Sequence, residues 1–209
     1  MAIDDDTDEA FFDLRTAAIP SFTTLVNERH DMFRSRHIVE NFARQVEGYS
    51  SSGDEGRRRG FGLWMVGRYD QAASQLASYE KDDVVAAFTR GSSLMSIGRY
   101  GDALAIFERL TQQYPNEPRP RGLRIEAQLE ADIVKGDADQ ALVRLKKLLD
   151  EAPREFASSA EHAYLRGRAA ELNNELEIAL DRYAEAREID PRNRSNLARL
   201  ALLAERTGL

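Results

Sequence analysis

Gly91-Ser92-Ser93-Leu94-Met95-Ser96-Ile97-Gly98-Arg99-Tyr100-Gly101-Asp102-Ala103-Leu104-Ala105-Ile106-Phe107-Glu108-Arg109-Leu110, closed by Pro115, is the stretch that decides the fold of this chain. Gly98 stands between two helical runs, where a residue without a Cβ enters the left-handed region freely and caps the first helix. Tyr100, Ala103, Phe107 and Leu110 recur at i, i+3, i+7 and i+10, so they share one helical face. Ala103 on that face lets another helix come close. Pro115 cannot continue the helix and marks the next turn.

Working outward, the same block recurs. Gly67-Arg68-Tyr69-Asp70-Gln71-Ala72 is followed by Leu76. Gly136-Asp137-Ala138-Asp139-Gln140-Ala141 is followed by Leu145, Leu148 and Pro153, and Asn174-Glu175-Leu176-Glu177-Ile178-Ala179 by Tyr183, Ala186 and Pro191. Gly60, Gly91 and Gly167 each stand seven residues before Gly67, Gly98 and Asn174, two turns earlier in the first helix of a hairpin. A small side chain there permits a close helix crossing; the third block has Leu129 instead.

The Gly…Gly-x-Tyr-x-x-Ala-x-x-x-Phe-x-x-Leu…Pro pattern of Gly91 to Pro115 resembles a tetratricopeptide repeat, and the resemblance runs from Gly53 to Arg206. The spacing from Gly67 to Gly98 is 31 residues and from Gly98 to Gly136 is 38, against about 34 in the family. Arg59, Arg90 and Arg166 precede the small residue where the family usually has Leu. The loop Pro115-Asn116-Glu117-Pro118-Arg119-Pro120 accounts for the longer spacing. The resemblance implies an all-α chain: a right-handed α-solenoid of stacked antiparallel helix hairpins with a concave groove. A single hairpin cannot bury its apolar face, so stacking supplies the core.

The chain divides on this reading into residues 1–52, an acidic tail and helical extension, and 53–193, four hairpins (about 53–83, 84–117, 122–153 and 160–193). Residues 194–209 form a capping helix or the first helix of a fifth repeat, with Leu200 and Leu203 facing a missing partner helix. Within the extension, a short helix over Thr7–Ala18 precedes Pro20, and one long amphipathic helix runs from Phe22 to Glu47. No segment reads as a strand.

Lys plus Arg is 29 and Asp plus Glu 36, for a net charge of −7. That balance argues against a nucleic-acid partner, whose footprint is a basic face. There are no cysteines, so neither disulfides nor thiolate metal sites arise. No run approaches the ~20 apolar residues that insert directly into a membrane, and the acidic start Met1-Ala2-Ile3-Asp4-Asp5-Asp6 is unlike a secretory signal. A cytoplasmic location is expected.

Little in the sequence points to catalysis or to a cofactor or metal. His30 and His37 lie seven apart, but two ligands without a third make a poor metal site; these two and His162 read as surface residues. Neither a phosphate loop nor a nucleophile elbow occurs. Asp82 and Asp83 read as capping and solvation. Arg57-Arg58-Arg59 is the sharpest charge feature. It opposes the macrodipole at a helix start, and it reads either as a solvated helix start or as a holder for an acidic peptide or a carboxylate.

In the family, turns of each hairpin's first helix line the groove. The resemblance therefore assigns partner binding to Arg57, Arg58, Phe61, Trp64 and Met65, then Phe88, Thr89, Ser92 and Met95, then Glu126, Glu130 and Ile133, then Tyr164, Arg168 and Glu171. Aromatics, Met and Arg on one surface suit a peptide anchor. Equally, an N-terminal helix packed over Phe61 and Trp64 would make them core. Some family members hold the acidic C-terminal tail of heat-shock chaperones in a clamp of Lys, Asn and Arg. The matching places here hold Arg57, Phe61, Thr89, Leu123 and Ala127, of which Arg57 alone is compatible. The expected function is thus a non-catalytic scaffold that binds a peptide or helix of another protein. A self-assembling homo-oligomer and a regulatory domain of a longer protein are the alternatives.

Overall fold

The computed structural model describes Leu14, Arg15, Ala18 and residues 21–208. The helix expected over Thr7–Ala18 falls mostly outside them. The described residues are all-helical: α1 (Phe22–Met32), α2 (Arg36–Glu47), α3 (Gly53–Met65), α4 (Tyr69–Gln75) with a 3-10 turn over Leu76–Ser78, α5 (Val84–Ser96), α6 (Tyr100–Gln113), α7 (Pro118–Val134), α8 (Ala138–Asp150), the one-turn α9 (Arg154–Ala157), α10 (Ala160–Leu172), α11 (Leu176–Ile189) and α12 (Arg194–Thr207). They form two compact units, residues 1–93 and 94–209, the division falling inside α5.

The long helix expected over Phe22–Glu47 is two helices. Ser35 stops it: its hydroxyl accepts from the Ile38 N–H, and its backbone is extended. A serine whose side chain offers the backbone another partner favours a cap over a helix interior. Ser21 caps α1 in the same way, accepting from Thr24 N at 3.1 Å.

Each repeat block folds as its residues dictate. Gly67, Gly98, Gly136 and Asn174 have φ of 83°, 76°, 88° and 59°. The next residue's N–H reaches back five residues, as in Arg68 to Leu63 O (2.8 Å), Arg99 to Leu94 O (2.9 Å), Asp137 to Asp132 O (3.1 Å) and Glu175 to Ala170 O (2.9 Å). This wrap satisfies carbonyls that the end of a helix leaves open. The alanine five residues on is buried in every case, as is the large residue after it: Ala72 with Leu76, Ala103 with Phe107, Ala141 with Leu145, Ala179 with Tyr183. Leu148 departs from the pattern. It is exposed, and Leu149 turns inward in its place, joining the core that holds Phe156.

The longer Gly98-to-Gly136 spacing comes from the helices rather than from a loop. α6 and α7 are 14 and 17 residues, against 13 for α5. Pro118, expected in the loop, is the first residue of α7, where its missing N–H is no loss.

The core of unit 1 includes Leu25, Met32, Phe42, Val46, Phe61, Met65 and Leu76. That of unit 2 includes Leu129, Leu145, Phe156, Leu165, Tyr183 and Leu203. Leu203 therefore points inward and Leu200 packs at the core's edge, rather than both facing a missing helix; the exposed leucine of α12 is Leu202.

Candidate functional site

The expected strip divides between the two units. In unit 1, Phe61, Trp64 and Met65 lie in the core. α1 covers them. Phe22 sits 5.6 Å from the Trp64 ring and stacks on Phe88 at 5.3 Å between centroids. The Arg29 guanidinium lies 4.8 Å from the Trp64 centroid, and its Nε donates to Met65 O at 3.1 Å. Thr89 is also buried, its hydroxyl spent on Val85 O at 2.7 Å. Phe88 is half-buried.

Two members of the arginine run, Arg57 and Arg58, are paired within the unit. Arg57 donates to Asp83 at 2.7 Å and bonds Asp54, while Arg58 reaches Asp54 at 2.7 Å and the Leu14 carbonyl. Asp54 and Glu55 in the first turn of α3 offset the arginines against the helix dipole. The two neighbouring guanidiniums hold Asp54 below the usual carboxylate range. Asp83 also caps α5, its Oδ1 accepting from the N–H groups of Val85 and Ala86 at 2.8 and 3.0 Å. The capping role expected for this acid is thus observed.

In unit 2 the first helices bring together a charged cluster. Tyr164 donates to Glu126 at 2.7 Å, and Arg168 to Glu130 at 2.6 Å. Tyr183 donates to Glu171 at 2.7 Å. Arg199 of α12 approaches Glu171 at 3.4 Å and Glu130 at 3.9 Å, and Arg206 reaches Glu171 at 4.0 Å. Arg168 is only 3% exposed, and its Nε and Nη1 have no hydrogen-bond partner. Two unmet donors in a buried cation are unusual, since each such group costs about 1–3 kcal/mol. Burial pushes the Glu126 carboxyl up, against the Tyr164 hydrogen bond and the Arg168 charge. Burial and the adjacent Glu126 raise Tyr164 well above its ordinary range. Met95 is half-buried.

The first-helix positions named from sequence therefore separate by chemistry: an apolar set under α1 in unit 1, an ionic set in unit 2. Sequence reasoning missed Arg199, Arg206 and the Tyr183 hydroxyl. The seven-residue interval between Arg199 and Arg206 of α12 was the available signal. It also missed Phe22 and Arg29 as the residues that meet the strip, though they too are seven apart. His162 is a correction: it is buried, edge-on to Phe156 at 5.5 Å, with Nε2 3.3 Å from Leu149 O. Desolvation depresses its pKa. His37 is exposed, facing Asn41 at 2.9 Å. Among the described residues no group of three or more acidic or histidine side chains is placed to hold a metal ion.

Residues 86–117 match the tetratricopeptide repeat family model. No curated protein matches the chain. Among solved structures, a tetratricopeptide repeat protein from Parabacteroides merdae ATCC 43184 aligns with a TM-score of 0.54 at 16% identity, over 88% of this chain and 71% of that one. A structure described as MamA RS-1 ArsTM double mutant aligns with a TM-score of 0.48 at 15% identity, over 85% of this chain and 99% of that one. Four left-handed hairpin turns and the fold shared with the Parabacteroides protein lead to one conclusion: the chain folds as helix hairpins of tetratricopeptide type, with one tetratricopeptide repeat matched at residues 86–117.

Proposed function

We propose that the protein is a non-catalytic cytoplasmic scaffold that holds a peptide or helix of a partner protein against its first-helix face. Tetratricopeptide repeats serve generally as protein-interaction modules, and among the described residues no helix is long and apolar enough to cross a membrane. The observation that carries the reading is the convergence of Glu126, Glu130, Tyr164, Arg168, Glu171 and Arg199 from three helices onto one face of unit 2. Such a cluster is pre-organised: its side chains are already ordered by one another, so a partner does not bear that part of the cost of binding. A partner segment bearing both signs of charge, or free main-chain carbonyls for arginine donors, fits it.

A photocrosslinking residue placed at Arg206, beside the cluster, and at Val143, exposed on α8, tests this in cells. Capture of the same protein from position 206, absent from position 143 and lost when Glu130→Ala and Arg199→Glu are added, is the expected result. Equal capture from both positions, or none from 206, overturns it.

A further inference from the structure

α1 behaves toward unit 1 as a bound ligand does. Phe22, Leu25, Arg29 and Met32 lie at i, i+3, i+7 and i+10, and all but the half-buried Phe22 are buried. Phe22 is one anchor, inserted between Trp64 of α3 and Phe88 of α5. Arg29 is the other, two turns away. Its guanidinium donates to Met65 O, in the last turn of α3, and to the Tyr69 hydroxyl. Trp64, Tyr69 and Phe33 wall it at 4.8, 5.4 and 5.4 Å.

This is a built site for a guanidinium. Open carbonyls at a helix C-terminus attract a cation, and aromatic faces reinforce that attraction when water is excluded. A buried arginine is a poor choice for plain core packing, because desolvating it is expensive; it does fix register and identity. α1 also joins the rest of the unit through a turn of three residues, Phe33 to Ser35, with Phe33 exposed.

We propose that the α3–α5 surface beneath α1 is a docking site for a helix that presents an aromatic side chain and, seven residues later, an arginine, and that α1 is its built-in occupant. A partner helix of that chemistry docks when α1 lifts away about the Phe33–Ser35 turn. The proposal extends the binding reading to unit 1. Its test uses the chain's own segment, so it succeeds or fails independently of the unit 2 crosslinks.

The experiment uses the full chain with a protease site inserted between Arg34 and Ser35, and a labelled synthetic peptide of residues 21–34. Before cleavage the tethered α1 holds the site at high effective concentration, and micromolar peptide does not bind. After cleavage the peptide exchanges in, and peptides carrying Phe22→Ala or Arg29→Ala bind at least ~10-fold more weakly. Trp64 is the only tryptophan, so its emission moves to the red when the site empties and returns when the peptide fills it. A cleaved chain that stays helical yet takes up no peptide, or takes up the Arg29→Ala peptide equally well, overturns the proposal. The uncut Phe22→Ala/Arg29→Ala chain is the second measurement: wild-type peptide restores its Trp64 emission. Loss of helicity in both chains makes α1 an indispensable part of the core and also overturns the proposal.

Discussion

A Cβ built on Gly167 would lie 2.4 Å from Cε1 of Tyr183, so the bare backbone of α10 rests against a ring of α11. That ring is fully buried, and its hydroxyl is tied to Glu171. It cannot swing aside. Gly60 meets Leu76 equally closely, at 2.4 Å from Cδ2, but a leucine has other rotamers. Gly167→Ala is expected to destabilise unit 2 by about 3 kcal/mol, and Gly60→Ala to destabilise unit 1 by about 1–2 kcal/mol. Urea denaturation of each variant gives the order.

The left-handed turns supply a second comparison. Nothing lies within 4 Å of a Cβ at Gly136, so a side chain there meets no neighbour and only the backbone objects. Gly136→Ala and Asn174→Ala should each cost about 1 kcal/mol. Asn174→Gly should stay within about 0.5 kcal/mol of the parent, because asparagine already tolerates that conformation. A shift in the midpoint at unchanged denaturant slope is the signature to look for.

Asp83 joins a cap to an ion pair, and two substitutions separate them. Asp83→Asn keeps an oxygen for the Val85 and Ala86 N–H groups but loses the charge facing Arg57; Asp83→Ala loses both. The expected costs are about 1 and about 2 kcal/mol. A double-mutant cycle with Arg57→Ala should return a coupling of up to about 1 kcal/mol for Asp83. A zero coupling would mean that the 2.7 Å contact is not holding α3 to the start of α5.

Glu126 gives a pH dependence. Burial raises its folded pKa above the unfolded one, so the native state holds its proton longer. Stability from this group is then greatest below the unfolded pKa and falls as pH rises through the folded one. Glu126→Gln keeps an acceptor for the Tyr164 hydroxyl and removes the charge. It should stabilise the protein near neutrality, with the advantage vanishing as pH drops below the ordinary glutamate range. Chemical denaturation across that window settles it; an advantage that grows toward acid contradicts the assignment.

The hairpins were legible because their signals are local. A glycine in a left-handed turn, an alanine at a crossing and a periodic apolar face are each set within one or two turns of chain, and Gly98, Ala103 and Phe107 sit as their spacing implies. The break at Ser35 was also local, a cap that was passed over inside an apolar pattern. The site was less legible, since its determinants meet across the fold. Nothing near Trp64 in sequence announces that Arg29 will lie on its ring. Nothing near Glu171 announces Arg199. Whether Phe61 and Trp64 face a partner or the core depends on where a separate helix lands, and the periodicity of α3 is the same in both cases.

The hairpin turns keep one count. In every block the first helix ends two residues before the left-handed residue, and the second begins two residues after it, as with Met65, Gly67 and Tyr69 or Leu172, Asn174 and Leu176. Helix lengths vary only at the ends remote from these turns. Each turn is thus a fixed joint that carries phase from one helix to the next. Removing a single residue there would rotate the following helix by about 100° and turn its alanine away from the crossing. The same deletion at Asn116 would be absorbed by the connection, where the chain has room to lose count.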